Sequence, residues 1–311
     1  MNKIAFIFPG QGSQSVGMMG GYGDRSILRA TFAEASEVLG LDLWRLASEG
    51  PADELNLTVN TQPVMLAAGV ACYRLWRDMG GAEPAFMAGH SLGEYTALTC
   101  AGALPFADAV RLVRLRAQAM QDAVPAGQGG MAAILGLEDD AVRELCAEAA
   151  EGEVVAAVNF NCPGQVVIAG HRAAVERAMT LAKARGAKRA LPLPVSVPSH
   201  CALMRPAAEK LGQALAEVTL RTPSVRVIHN VDVAEHTEPD AIRDALVRQL
   251  YQPVRWVETI QAMHAAGVDL FAECGPGKVL AGLNKRILAE LPTLALADEA
   301  SLAQALEQTA T

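Results

Sequence analysis

Pro84-Ala85-Phe86-Met87-Ala88-Gly89-His90-Ser91-Leu92-Gly93 decides how this chain is read. Its first five residues are a short apolar run, which predicts a buried strand. Leu92–Thr99 predicts a helix immediately after it. Between them, Gly89-His90-Ser91-Leu92-Gly93 fits the G-x-S-x-G pattern of a nucleophile elbow. Glycines there permit a tight turn with close neighbours. The serine hydroxyl is then presented at a helix N-terminus, where backbone N–H groups favour developing negative charge. The pattern alone arises readily by chance; the strand–turn–helix context gives it weight.

Outward from this stretch, short β-rich runs alternate with helical periodicity. Strands are expected at Ile4–Phe8, Val225–His229 and Val268–Glu273. Helices are expected at Ser26–Leu39, Pro63–Met79, Pro105–Val124, Met204–Val218, Pro239–Leu250 and Val254–Ala266. That alternation predicts an α/β protein with a mostly parallel sheet covered on both faces. Residues 127–198 differ. After Gly127-Gln128-Gly129-Gly130 the order is strand, helix, two strands, helix, strand, which is a ferredoxin-like unit. The expected organisation is a large α/β domain formed by 1–126 and 199–311, with 127–198 inserted.

Composition narrows the function. Of the 311 residues, 51% are hydrophobic and 19% charged, enough for a sizeable core. The net charge of −8 argues against nucleic-acid binding, which needs a basic face. Six cysteines form no C-x-x-C pair and no zinc-spaced cluster with histidine, so no metal site is expected and a reducing cytoplasm fits. No apolar run reaches membrane-spanning length, and Ile4–Phe8 is too short for a secretory signal.

Ser91 needs a base. Of the six histidines, His200 in Val197-Pro198-Ser199-His200-Cys201 stands where the inserted unit ends, placed to reach a cleft. Pro9-Gly10-Gln11-Gly12-Ser13-Gln14 follows the first strand. It has neither a dinucleotide fingerprint nor a phosphate-loop lysine. It reads either as a plain strand–helix turn or as a close approach in which the Gln11 and Leu92 N–H groups form an oxyanion hole. Within Pro105–Val124, Ala109, Leu112, Val113, Arg116 and Met120 share one apolar stripe. Arg116 therefore points inward and needs an anionic partner, either a buried carboxylate of the protein or a substrate's. Spacing leaves both open. Gln11, Ser91, Asn230 and Gly275 all follow strand ends, the edge where open parallel sheets bind ligands.

These segments, with Gly93-Glu94, Asn161-Cys162-Pro163-Gly164-Gln165, Asn230-Val231-Asp232 and Gln249-Leu250-Tyr251-Gln252-Pro253-Val254-Arg255-Trp256, resemble in order the bacterial malonyl-CoA:acyl carrier protein transacylases. The resemblance spans nearly the whole chain. It implies a hydrolase-like α/β domain with a ferredoxin-like insertion, and transfer of malonyl from malonyl-CoA to acyl carrier protein in fatty acid synthesis. By resemblance Ser91 is the nucleophile and His200 its base. The Gln249 main-chain carbonyl orients His200, and Arg116 pairs with the malonyl carboxylate. Gln11, Leu92, Met120 and Asn161 complete the substrate site. The resemblance implies no cofactor, and a monomeric enzyme is expected. Two departures stand out: Cys162 replaces a frequent Ser, and Ser199 stands where some related acyltransferases carry Phe. Three alternatives remain: a hydrolase using water, a non-catalytic carrier-binding module, and a malonate decarboxylase transacylase subunit. Lys183, Arg185, Lys188 and Arg189 form a candidate docking patch for an acidic carrier, or simply a solvated helix end.

Overall fold

In the computed structural model, residues 3–195 and 197–309 are described. Among these residues, nine strands form two sheets: β1 Ile4–Phe8, β2 Phe86–Gly89, β3 Gly129–Leu135, β4 Val155–Cys162, β5 Gln165–His171, β6 Arg189–Pro192, β7 Arg226–Ile228, β8 Leu270–Cys274 and β9 Thr293–Leu296. The first sheet has the order β7-β2-β1-β8-β9, and every neighbouring pair is parallel. Every residue of β1 is buried because both faces of this central strand are covered. Phe6 and Phe8 pack into the larger core, with Met87 and Ala272. Ala5 and Ile7 pack on the other face, with Phe86, Trp256 and Phe271.

The second sheet has the order β4-β5-β3-β6, with each pair antiparallel. Helices Asp139–Ala150 and Arg172–Ala184 supply Val142, Leu145, Ala174 and Ala178 to a separate apolar core beneath it. This is the ferredoxin-like arrangement, and the fold class agrees with the sequence expectation. Backbone pairing ties the two parts together. The Phe160 N–H donates to the Val254 carbonyl (3.0 Å), and the Val254 N–H to the Val158 carbonyl (2.8 Å).

One element begins earlier than its sequence suggests. Pro63 reads as a helix start, yet the helix runs Thr58–Asp78 with Pro63 inside it. Proline cannot donate to the carbonyl four residues back. Here Arg114 Nη1 donates to that Val59 carbonyl at 2.6 Å, and to Asn60 Oδ1 at 2.7 Å. A side chain from the neighbouring helix Phe106–Asp122 replaces the missing backbone bond, which the local sequence cannot reveal. Helices Leu43–Glu49, Ala52–Leu55, Val279–Ile287 and Glu299–Thr309, and strand β9, also lay outside the sequence expectations. Among the described residues, no helix is long and apolar enough to cross a membrane.

Candidate active site

Ser91 sits just beyond β2 with φ 51°, a left-handed conformation unusual for a residue bearing a Cβ. Three glycines make room for it. A Cβ on Gly89 would lie 1.9 Å from the Gly93 carbonyl group, one on Gly93 2.1 Å from the Phe8 carbonyl oxygen, and one on Gly10 2.5 Å from the His90 carbonyl oxygen. The elbow and the loop after β1 therefore interlock, backbone against backbone. Asn230, following β7, fastens the turn: its Oδ1 accepts from the Ser91 N–H (2.9 Å) and its Nδ2 donates to the Gly89 carbonyl (2.7 Å).

The Ser91 hydroxyl donates to His200 Nε2 at 2.8 Å, and His200 Nδ1 donates to the main-chain carbonyl of Gln249 at 2.7 Å. His200 is also left-handed, with φ 63°, and its N–H donates to the Leu250 carbonyl at 3.1 Å. Burial, reinforced by the Arg116 charge, pushes the His200 imidazole down to about 3. It is therefore neutral at physiological pH, the form a base requires.

Arg116 is 1% exposed, as its helix stripe implied. Its Nη1 donates to Gln62 Oε1 (2.9 Å), and its Nη2 to Ser91 Oγ (3.1 Å) and Gln249 Oε1 (3.0 Å). Its Nε has no partner among the described residues. All these acceptors are neutral, so no carboxylate among the described residues pairs directly with the guanidinium. Burial presses its pKa down. A buried cation of this kind offers planar, forked donors to a carboxylate that arrives from outside.

The remaining expected residues divide into those at the reacting atoms and those behind them. Leu92 is buried directly after the nucleophile, while the Gln11 side chain is exposed and its Nε2 donates to Thr58 Oγ1 at 3.3 Å. Neither the Gln11 nor the Leu92 N–H donates to an acceptor among the described residues, so both remain available for an oxyanion. Asn161 Oδ1 faces His90 Nε2 at 2.8 Å, and the His90 ring lies 5.5 Å from that of Trp256. Asn161 thus touches the residue beside the nucleophile. Met120 Sδ accepts weakly from Gln62 Nε2 at 3.7 Å and backs the side chain that holds Arg116.

Three residues carry more of the site than the sequence suggested. Gln62 holds the guanidinium. Asn230 clasps the elbow. The Gln249 side chain joins its own carbonyl in the work: besides accepting from Arg116, its Nε2 donates to the Ser91 carbonyl (3.0 Å), Glu94 Oε2 (3.2 Å) and Asn230 Oδ1 (3.3 Å). Only buried polar residues on apolar helix stripes, such as Gln62 and Gln249, could have signalled this in advance.

An elbow serine, a neutral imidazole and two N–H groups without acceptors among the described residues are the parts that acyl transfer through a serine requires. The acyl transferase domain family matches residues 5–305. The malonyl CoA-acyl carrier protein transacylase of Escherichia coli K12 is 60% identical over 308 residues, covering 99% of this chain and all of that protein. The Bacillus subtilis protein of the same name is 47% identical, covering 99% of this chain and 97% of its own. A crystal structure of acyl-carrier-protein S-malonyltransferase from Burkholderia pseudomallei superposes with a TM-score of 0.97 at 60% identity, over 98% of this chain and 99% of that one. A malonyl-transacylase solved in complex with a type II polyketide acyl-carrier protein gives a TM-score of 0.97 at 54% identity, covering 98% and 99%. The chain belongs to the acyl transferase family, among its malonyl-CoA:acyl carrier protein transacylases.

Proposed function

We propose that this enzyme moves a malonyl group from coenzyme A to the phosphopantetheine thiol of an acyl carrier protein, through a malonyl ester on Ser91. The observation that carries this reading is the buried Arg116. Its guanidinium lies 3.1 Å from Ser91 Oγ with only neutral acceptors around it. A malonyl group differs from an acetyl group by the free carboxylate that such a cation accepts.

His200 takes the Ser91 proton as the oxygen attacks the thioester carbonyl. The Gln11 and Leu92 N–H groups hold the oxyanion. The tetrahedral intermediate collapses with cleavage of the C–S bond, and His200 returns the proton to the departing sulfur. The carrier thiol then gives its proton to His200 and attacks the ester; as the C–O bond breaks, His200 returns the proton to Ser91 Oγ. Gln249 plays the part of a triad carboxylate with a main-chain oxygen, so His200 keeps its orientation without a second buried charge beside it. The chemistry calls for no cofactor beyond the thioester itself. A cytoplasmic location, as a step of fatty acid synthesis, fits six unpaired thiols, five of them buried.

Incubation with malonyl-CoA should add one malonyl group to the intact mass of the protein, and Ser91→Ala should remove that adduct. Retention of the adduct by the mutant, on Cys201 for example, would overturn the assignment. Release of free malonate at the same rate with or without carrier would make the enzyme a hydrolase.

A further inference from the structure

Glu94 takes no part in the mechanism above, yet it is fully buried one turn beyond the nucleophile, in helix Gly93–Cys100. Burying a carboxylate is costly unless its oxygens are satisfied. Both are. Oε1 accepts from His229 Nδ1 at 2.7 Å; Oε2 accepts from the Asn230 N–H at 2.8 Å and from Gln249 Nε2 at 3.2 Å. His229 Nε2 has no hydrogen-bond partner among the described residues, so Glu94 receives the ring's one hydrogen bond. On the far side of the same Gln249 amide, Oε1 accepts from Arg116 Nη2 at 3.0 Å. The sequence carboxylate, amide, guanidinium is therefore continuous, and the amide dipole is aligned along it. Tyr95, next to Glu94, places its ring 5.4 Å from the guanidinium carbon.

We propose that Glu94 is a positioning residue acting on Arg116 through Gln249. It is the standing counter-charge of the substrate clamp, and it limits how tightly that clamp holds the substrate's carboxylate. In the empty site the Glu94 charge offsets the buried guanidinium. When the malonyl carboxylate arrives, it must share Arg116 with an anion already beneath it. That restraint serves a two-step transfer, because a malonyl-enzyme held too firmly would resist handing its acyl group to the carrier. This inference rests on malonyl transfer through Ser91 being the reaction.

Glu94→Gln tests it. The glutamine can turn its oxygen toward Asn230 and Gln249 and its amide toward His229, whose Nδ1 accepts once the imidazole proton moves to Nε2, keeping the bonds and removing the charge. At an effective dielectric of about 20 and a separation of several ångströms, removing the like charge should raise the malonyl-to-acetyl ratio of kcat/KM by about three- to thirtyfold. The KM for malonyl-CoA should fall, and the malonyl-enzyme should accumulate during turnover with the carrier. Glu94→Asp keeps the charge and should leave the ratio near wild type whatever it does to kcat. If Glu94→Gln fails to fold, Glu94→Met, of similar volume, removes the same charge and is read the same way. A carboxylate that merely braces the elbow would lower both substrates equally; an unchanged or lower ratio overturns the proposal. A wild type that forms no malonyl adduct would instead overturn the underlying reaction, so the two failures are distinguishable.

Discussion

Ser91 and His200 meet across a 2.8 Å hydrogen bond, and both adopt left-handed backbone, yet they are held in opposite ways. Ser91 is fixed by exclusion. Backbone from the loop after β1 and from the next turn crowds in until only glycine fits at positions 10, 89 and 93. His200 is fixed by attraction, through two consecutive carbonyls, those of Gln249 and Leu250, at the end of helix Pro239–Gln249. Each such conformation costs on the order of 1–3 kcal/mol and persists only where its surroundings over-determine it. The elbow spends that strain inside a rigid sheet. The base spends it at the seam between the two sheets, where the chain leaves β6 and returns to the parallel domain. Ser91 is therefore built into the fold, and His200 is brought to it.

The contrast can be broken most severely at the base. His200→Ala removes the proton acceptor and should lower malonyl transfer by about 10²- to 10⁴-fold, with the fold intact by circular dichroism. Gln249→Ala leaves the orienting carbonyl in place, so its effect should be much smaller. It should still exceed that of an ordinary buried glutamine, because the side chain also holds Arg116 Nη2 and the Ser91 carbonyl. A loss of roughly ten- to a hundredfold, falling mainly on malonyl and little on acetyl thioesters, is expected. Equal losses for His200→Ala and Gln249→Ala would mean that the side chain, not the main chain, governs the base.

How much of this was legible follows the same division. Local sequence carries exclusion well, because glycines forced by close backbone leave a pattern within five residues of Ser91. It carries the inward turn of Arg116, since helix periodicity fixes which face a residue occupies. Attraction across the fold leaves little trace. The carbonyl that orients His200 lies 49 residues away and belongs to no particular side chain, so only family resemblance pointed to Gln249. Pro63 misled the helix boundary because its remedy, Arg114, comes from another helix. Gln62 and Asn230 drew little attention because a buried amide gains meaning only once its partners are known.

Arg116 sharpens the comparison at the substrate's other end. Helix spacing left two partners open, and among the described residues no carboxylate pairs with it directly, which supports the proposed substrate carboxylate. Losing a buried, charge-assisted pair typically costs about 2–5 kcal/mol, and each 1.4 kcal/mol is about tenfold. Arg116→Ala should thus depress malonyl transfer tens to thousands of times, while acetyl transfer falls little or rises. Arg116→Lys keeps charge but loses the fork, and should recover only part of the loss. The malonyl-to-acetyl ratio of kcat/KM is the measurement. An unchanged ratio would make Arg116 a structural cation.

The smallest effect concerns the carrier, and it lies on the side of the seam that delivers His200. Lys183, Arg185, Lys188 and Arg189 are all exposed, and Arg185 is already paired with Glu148. Lys188 and Arg189 lead into β6, the edge strand of the antiparallel sheet, whose Leu191 is 44% exposed. His200 follows soon after β6 in the sequence. With a net charge of −8, the enzyme as a whole repels an acidic carrier, so docking needs a local basic surface. An exposed charge at such a surface acts mainly on encounter and is screened by salt. Lys188→Glu with Arg189→Glu should therefore raise the carrier's KM by about three- to tenfold at low ionic strength. The effect should shrink as salt is added, and malonyl loading from coenzyme A should stay unchanged. If the carrier's KM does not move, these cations only stabilise the end of helix Arg172–Ala184, and the carrier approaches from another face. If loading from coenzyme A slows as well, the substitutions have reached His200 through the seam, and the base is held less firmly than its two carbonyl contacts imply.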